Sequence, residues 1–121
     1  MRILHIEDTP EISQIFADIL ATKNYDFDSV SDGRAGLELT VYTDYDLILL
    51  DMCMPKYSGT DFLLDLKTRR PSELSKVVIV SGLEMSSLQE QQLLNMGIRS
   101  ILQKPISVQS LLSQIKQEIT F

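Results

Sequence analysis

The 121-residue chain contains one cysteine, one histidine and no tryptophan. A lone Cys53 cannot close an internal disulfide, which fits a reducing compartment. One His and one Cys also exclude, in practice, a zinc centre built from soft ligands. Basic residues are the minority, 11 against 17 acids, giving a net charge of −6 and a pI near 4.6. That balance argues against a general grip on nucleic acid and suits basic partner surfaces, or simply solubility. No apolar run approaches the roughly 20 residues that a membrane helix needs. The opening MRILHIED lacks a signal-peptide layout, because acids interrupt its apolar stretch almost at once. Repeats, low-complexity tracts and linkers are absent as well. With 44% hydrophobic and 23% charged residues, the expectation is a single folded domain, residues 1–121, in the cytoplasm.

What is present is an alternation of two periodicities. Ile3-Leu4-His5-Ile6 reads as a short buried strand ending in acids. Thr9 is placed to cap a helix over 11–22, with Pro10 at its first position and Ile12, Ile15, Phe16, Ile19 and Leu20 at helical spacing. Residues 25–30 alternate as an edge strand does, and Ser31-Asp32-Gly33 opens a helix to about Tyr42, with Leu37 and Val41 inward. Leu47-Ile48-Leu49-Leu50 is apolar at every position, as expected of a central parallel strand covered on both faces. A loop over 52–58 leads to a helix from about Thr60 to Arg69, which Pro71 prevents from continuing. Val77-Val78-Ile79-Val80 is a second fully apolar strand. A helix from about Ser86 to Met96 stops at Gly97, Ile98 to Leu102 is a fifth strand, and Ser107 caps a last helix towards Thr120. Five alternations predict an α/β fold: a parallel sheet with helices on both faces.

In such sheets ligands sit beyond the carboxyl ends of the strands, where the strand order reverses. Those ends carry Glu7 and Asp8, Asp51, Ser81-Gly82 and Lys104-Pro105. Singly each has an ordinary reading as a cap, a turn residue or a complement to a helix dipole. Together they converge on one rim. Crowded carboxylates repel one another, and a divalent cation relieves the conflict. Oxygen ligands favour Mg²⁺. Asp51, at the end of a buried strand, is then the candidate nucleophile for an acyl phosphate, with Mg²⁺ and the Lys104 ammonium neutralising phosphoryl charge and the Ser81 hydroxyl hydrogen-bonding to a phosphoryl oxygen.

The segments ILHIED, DLILLDMCMPKYSG, VVIVSG and ILQKP make the chain similar, over essentially its whole length, to the receiver domain of bacterial two-component response regulators, with single chemotaxis-type receivers among them. The resemblance implies a flavodoxin-like doubly wound sheet of five parallel strands in the order 2-1-3-4-5, with five helices on its two faces. It implies Mg²⁺-dependent transfer of a phosphoryl group to Asp51 from a histidine kinase or histidine phosphotransfer protein. Asp8 and Asp51 would bind the metal, Glu7 would act mainly through a metal-bound water, and the Cys53 carbonyl would complete the set. Ser81 would be the switch hydroxyl and Lys104 the phosphoryl partner. The expected output is a change at the surface of helix four, strand five and helix five, read by a partner protein or an effector domain. Neither direct nucleic-acid binding nor membrane contact is expected, and dimerisation would be weak.

Several residues depart from the family pattern. Glu7 stands where Asp is usual. Ile101 stands where many members carry the Tyr or Phe whose ring relays the switch. Cys53 and Leu83 flank the attacking water in the family, and neither is polar enough to position it, so slow hydrolysis of the acyl phosphate is expected. The output segments carry Gln89, Gln91, Gln92, Gln103, Gln109, Gln114 and Gln117, which disfavours a charge-paired dimer. Three other functions would make different demands on these residues. A haloacid-dehalogenase-like phosphatase would place its nucleophile and second acid on the first strand, two residues apart. A flavin or nucleotide module would need a Gly-rich loop where Glu7-Asp8-Thr9-Pro10 stands. A degenerate receiver, acting as a phosphorylation-independent interaction module, would have no need of the acids, Ser81 and Lys104.

Overall fold

The computed structural model describes residues 1–82, 84–104 and 113. In chain order they form β1 (Arg2–Ile6), α1 (Pro10–Ala21), β2 (Asp26–Val30), α2 (Gly33–Tyr42), β3 (Leu47–Asp51), α3 (Gly59–Arg69), a 3-10 helix (Pro71–Lys76), β4 (Val77–Ser81), α4 (Ser87–Asn95) and β5 (Ser100–Gln103). Every strand pair is parallel and the order is β2-β1-β3-β4-β5, as expected. The helix expected over 107–120 lies, but for Ser113, outside the described residues.

The strands divide as their composition dictates. All five residues of β3 and all five of β4 are buried, because helices cover both faces of a doubly wound sheet. Alternate side chains feed two cores. One holds Leu4, Ile6, Ile48, Leu50, Val77 and Ile79 against Phe62, Leu63 and Leu66 of α3 and Leu37 of α2. The other holds Ile3, Leu47, Leu49, Val78 and Val80 against Phe16 and Leu20 of α1. β2 lies at one edge, where none of its five residues is fully buried.

Helix starts follow local chemistry. Asp32 caps α2 by accepting from the Arg34 amide, and Ser58 and Ser86 open α3 and α4 with reciprocal capping boxes to Asp61 and Gln89. Thr9 sits at the α1 N-cap position without a side-chain bond, and Pro10 supplies the preset φ there.

Four details differ from the sequence reading. β5 starts at Ser100, not Ile98. Gly97, at φ +104, ends α4; Ile98 then plugs the core, and the Arg99 amide bonds to the Val77 carbonyl at 2.8 Å before the strand begins. α1 runs one residue earlier at both ends than 11–22, and Ile15 faces outward, 55% exposed. α3 begins at Gly59, because the Ser58 cap sits one residue earlier than the apolar periodicity indicates. Beyond Pro71 the chain forms a 3-10 helix in place of a plain connection. Arg70 anchors that corner, donating to the carbonyls of Thr40, Val41 and Thr43 and pairing with Asp44 and the buried Glu73.

Candidate functional site: an acidic rim at the carboxyl ends of the strands

Register brings the acids together. Ile6 pairs with Leu50, so Glu7 and Asp51 leave neighbouring strands side by side, at the reversal of strand order between β1 and β3. One carboxylate oxygen from each of Glu7, Asp8 and Asp51 lies within 4.8 Å of the other two. Glu7 and Asp51 are buried and Asp8 is half-buried. The chain leaving β1 is tied down by the Glu7 amide, which donates to the Val30 carbonyl at 3.0 Å.

Lys104 reaches the same point from the far side. Its amide donates to the Ser81 carbonyl at 2.7 Å, which fastens the exit of β5 to that of β4. Its ammonium donates to a Glu7 carboxylate oxygen at 3.2 Å and stands 3.9 Å from Asp51 Oδ1. Ser81 is buried at the last position of β4. The Cys53 amide donates to Asp51 Oδ1 at 3.1 Å, while the Cys53 side chain is exposed. The structure therefore brings Glu7, Asp8, Asp51 and Lys104 to one rim, with the backbones of Cys53 and Ser81 bonded into it. Leu83 and Pro105 lie outside the described residues.

The electrostatics follow from this crowding. Burial pushes the Glu7 carboxyl above the usual carboxylate range, the Asp51 charge pushes it further, and Lys104 opposes both. Among the described residues, one ammonium, beside Glu7 and Asp51, faces a cluster of three acids, which leaves excess negative charge when all are ionised. An all-oxygen donor set of that kind suits a hard divalent cation such as Mg²⁺, which is commonly held by one or two carboxylates together with phosphate oxygens.

Two supporting residues escaped the sequence reading. Gly59 packs so closely on the strand exit that a Cβ would lie 2.5 Å from Met52 Sδ, 2.8 Å from Met52 Cα and 3.1 Å from the Asp51 carbonyl oxygen. The glycine ending the matched loop segment was the available signal. His5, inside β1, is buried with its ring stacked on Phe16 at 4.3 Å, and its Nδ1 has no hydrogen-bond partner among the described residues. It packs below the rim as a neutral aromatic: burial first, then Lys104, push its pKa down to about 3.

Comparison with known proteins bears on the family and the fold. The model of the response regulator receiver domain matches residues 3–116. The transcriptional regulatory protein DltR of Streptococcus agalactiae serotype III (strain NEM316) is 34% identical over 116 residues, spanning 96% of this chain and 50% of that protein. The aerobic respiration control sensor protein ArcB of Escherichia coli (strain K12) is also 34% identical, over 97% of this chain and 15% of its own length. The chain thus spans half or less of these curated relatives. Among solved structures, the receiver domain of sensor histidine kinase PA1611 from Pseudomonas aeruginosa PAO1, with a magnesium ion in its active-site cleft, shares the fold. Its TM-score is 0.83 at 20% identity, covering 98% of this chain and 96% of that one.

Proposed function

The chain belongs to the response regulator receiver domain family of two-component signalling, and on that premise we propose that Asp51 is the residue that accepts the phosphoryl group. The observation carrying this reading is the convergence of Glu7, Asp8, Asp51 and Lys104 on one rim. Glu7, Asp8, Asp51 and the Cys53 carbonyl would hold Mg²⁺, which supplies positive charge to the phosphoryl oxygens when bound.

The residues then divide the work. The Cys53 amide holds Asp51 Oδ1 and so fixes the carboxylate plane for in-line attack. A carboxylate oxygen of Asp51 forms the new P–O bond as the P–N bond of a phosphohistidine breaks, and the imidazole leaves with the bonding pair. Lys104 moves its ammonium from Glu7 towards the transferred group. The Ser81 hydroxyl donates to a phosphoryl oxygen, drawing the end of β4 towards Asp51. This chemistry is confined to the domain's own aspartate and has no other turnover.

The donor is a histidine kinase or a histidine phosphotransfer protein. The output passes to a partner protein or an effector domain through the surface of α4 and β5, where Leu88 and Leu94 stand exposed. No helix among the described residues is long and apolar enough to cross a membrane.

The test is incubation with Mg²⁺ and acetyl phosphate followed by intact mass. One added phosphoryl group that disappears in Asp51→Asn supports the reading. Absence of any adduct in the native protein, with no Mg²⁺ binding, would favour a phosphorylation-independent interaction module.

A further inference from the structure

The loop 52–58 carries the Cys53 backbone to the rim, and its path is specified at three places. At its start the Cys53 amide is bonded to Asp51 Oδ1. At its end the Gly59 amide donates to the Met52 carbonyl at 3.2 Å, and the Ser58–Asp61 capping box opens α3. Between them the chain makes a tight turn in which the Tyr57 amide donates to the Pro55 carbonyl at 2.7 Å, with Lys56 at φ +68. A non-glycine residue is uncommon in that left-handed region and persists where a local hydrogen bond and the surrounding packing support it.

Tyr57, the next residue, is buried and hydrogen-bonded. Of the seven side chains in the loop only Met54 and Tyr57 are buried, and a thioether gives no directional hold. The Tyr57 hydroxyl donates to Asp65 Oδ2, in the second turn of α3, with the Asp61 carbonyl at 3.4 Å. On the other side Arg34, from the first turn of α2, lies 4.6 Å from the ring centroid. Gly33 makes room, because a Cβ there would stand 3.1 Å from the Tyr57 carbonyl oxygen and 3.2 Å from its ring. Burial and the Asp65 bond push the phenol well above its ordinary pKa, so it stays a donor throughout the physiological range. A cleft of about 270 Å³ lined by Arg34, Tyr57, Asp61, Leu64 and Asp65 opens beside the contact. The hydroxyl bond is a directional tie from the buried middle of loop 52–58 to the body of α3, beyond the capping box at the loop's end.

We propose that Tyr57 is a positioning residue for the metal site: clasped by Asp65, it holds loop 52–58 so that the Cys53 carbonyl faces the carboxylates of the rim. This rests on the reading of Asp51, Asp8 and Cys53 as metal ligands. Tyr57 itself touches neither metal nor phosphoryl group. Its loss therefore raises the Mg²⁺ needed for the reaction without changing the reaction once the metal is bound.

The experiment titrates Mg²⁺ by calorimetry into the native protein, Tyr57→Phe, Asp65→Ala and the double variant. In parallel, the rate of phosphorylation by acetyl phosphate is followed by intact mass at each Mg²⁺ concentration. Tyr57→Phe keeps the buried ring and removes only the hydroxyl. Each single variant is expected to raise the Mg²⁺ dissociation constant about tenfold, the low end for groups that orient metal ligands. The double variant should be no worse than either single one, and the rate at saturating Mg²⁺ should stay within about twofold of native. Leu74→Ala, in the 3-10 helix away from the rim, serves as a destabilised control and should leave the Mg²⁺ constant unmoved. Unchanged Mg²⁺ binding in Tyr57→Phe, in a native background that binds the metal and is phosphorylated, overturns the inference alone. An equal shift in Leu74→Ala overturns it as well, by reducing the effect to general loosening. A native protein that neither binds Mg²⁺ nor accepts a phosphoryl group overturns the underlying reading too.

Discussion

The Lys104 ammonium sits 3.2 Å from a Glu7 carboxylate oxygen and 3.9 Å from Asp51, so the one cation at the rim among the described residues is engaged by an acid other than the proposed phosphoryl acceptor. Glu7 is buried, with its carboxyl pushed above the usual range by burial and by Asp51. In the metal-free protein the folded state therefore binds this proton more readily than the unfolded state does. The contribution of Glu7 to stability rises as pH falls through its raised pKa, and levels off below the ordinary value of 4.5. Urea unfolding without metal should show Glu7→Gln more stable than native at pH 7, with the gap closing towards pH 4. Lys104→Met should have the opposite effect at pH 7, a loss of at most about 3 kcal/mol, since it leaves a buried carboxylate without its cation. A native-minus-Glu7→Gln difference that is flat with pH would show that Glu7 titrates normally.

Mg²⁺ should act on the same group. Anything that binds only the folded state stabilises it by mass action, about 2.7 kcal/mol at a hundredfold excess over the dissociation constant. Addition of Mg²⁺ is expected to raise the melting temperature and to flatten the pH dependence arising from Glu7. Asp8→Asn should lose most of that stabilisation while melting at or above the native temperature in metal-free buffer. A thermal shift of native size in Asp8→Asn would remove Asp8 from the ligand set.

Much of this site was legible in the sequence because it lies at strand ends. β3 and β4 announce themselves by unbroken apolar runs, and a parallel sheet brings their carboxyl ends to one rim without any side-chain detail. The residues that escaped are those whose role depends on contacts between distant segments. Nothing around Tyr57 marks it as the partner of Asp65, eight residues on, or of Arg34 in another helix. Arg70 reads as a basic residue before a proline, yet it satisfies three carbonyls at the end of α2. β5 was displaced by two residues because Ile98 is as apolar as a strand residue but serves as a plug ahead of it. Ile15 fits the helical period and still faces outward, since periodicity gives a stripe and not its width.

Close approach of backbone to backbone gives a prediction that separates packing from function. At Gly36 an added Cβ would lie 2.6 Å from Cδ1 of Ile6, the far end of a side chain, although a buried one. At Gly59 it would meet Met52 Cα and the Asp51 carbonyl oxygen, which cannot move without shifting the strand exit. Gly36→Ala and Gly59→Ala should each cost roughly 1–3 kcal/mol from overpacking. Only Gly59→Ala should also slow phosphorylation by acetyl phosphate, by about tenfold or more, because displacement of the reacting group is strongly penalised. Equal rates in the two variants would mean that the β3–α3 junction absorbs the methyl group without moving Asp51.

His5 gives a pH dependence of opposite sign to that of Glu7, two residues away on the same chain segment. Its ring is stacked on Phe16 with the planes 9° apart, and its Nδ1 has no partner among the described residues. Protonation would add a charge to a buried apolar setting, which explains the fall from 6.5 to about 3. The unfolded chain takes up this proton below about pH 6.5, whereas the folded chain does so only near pH 3. Stability is therefore lost as pH falls through that interval, by about 2 kcal/mol between pH 8 and pH 5. His5→Phe keeps an aromatic ring for Phe16 and removes the titrating group, so it should gain on the native protein by that amount as the solution is acidified. Because Glu7 works the other way over part of the same range, the metal-free native protein should show a flatter acid profile than either His5→Phe or Glu7→Gln, and the two single variants should diverge from it in opposite directions. A native-minus-His5→Phe difference that does not change between pH 8 and pH 5 would mean that the imidazole finds a partner for its proton inside the fold, and the neutral stacked role would have to be abandoned.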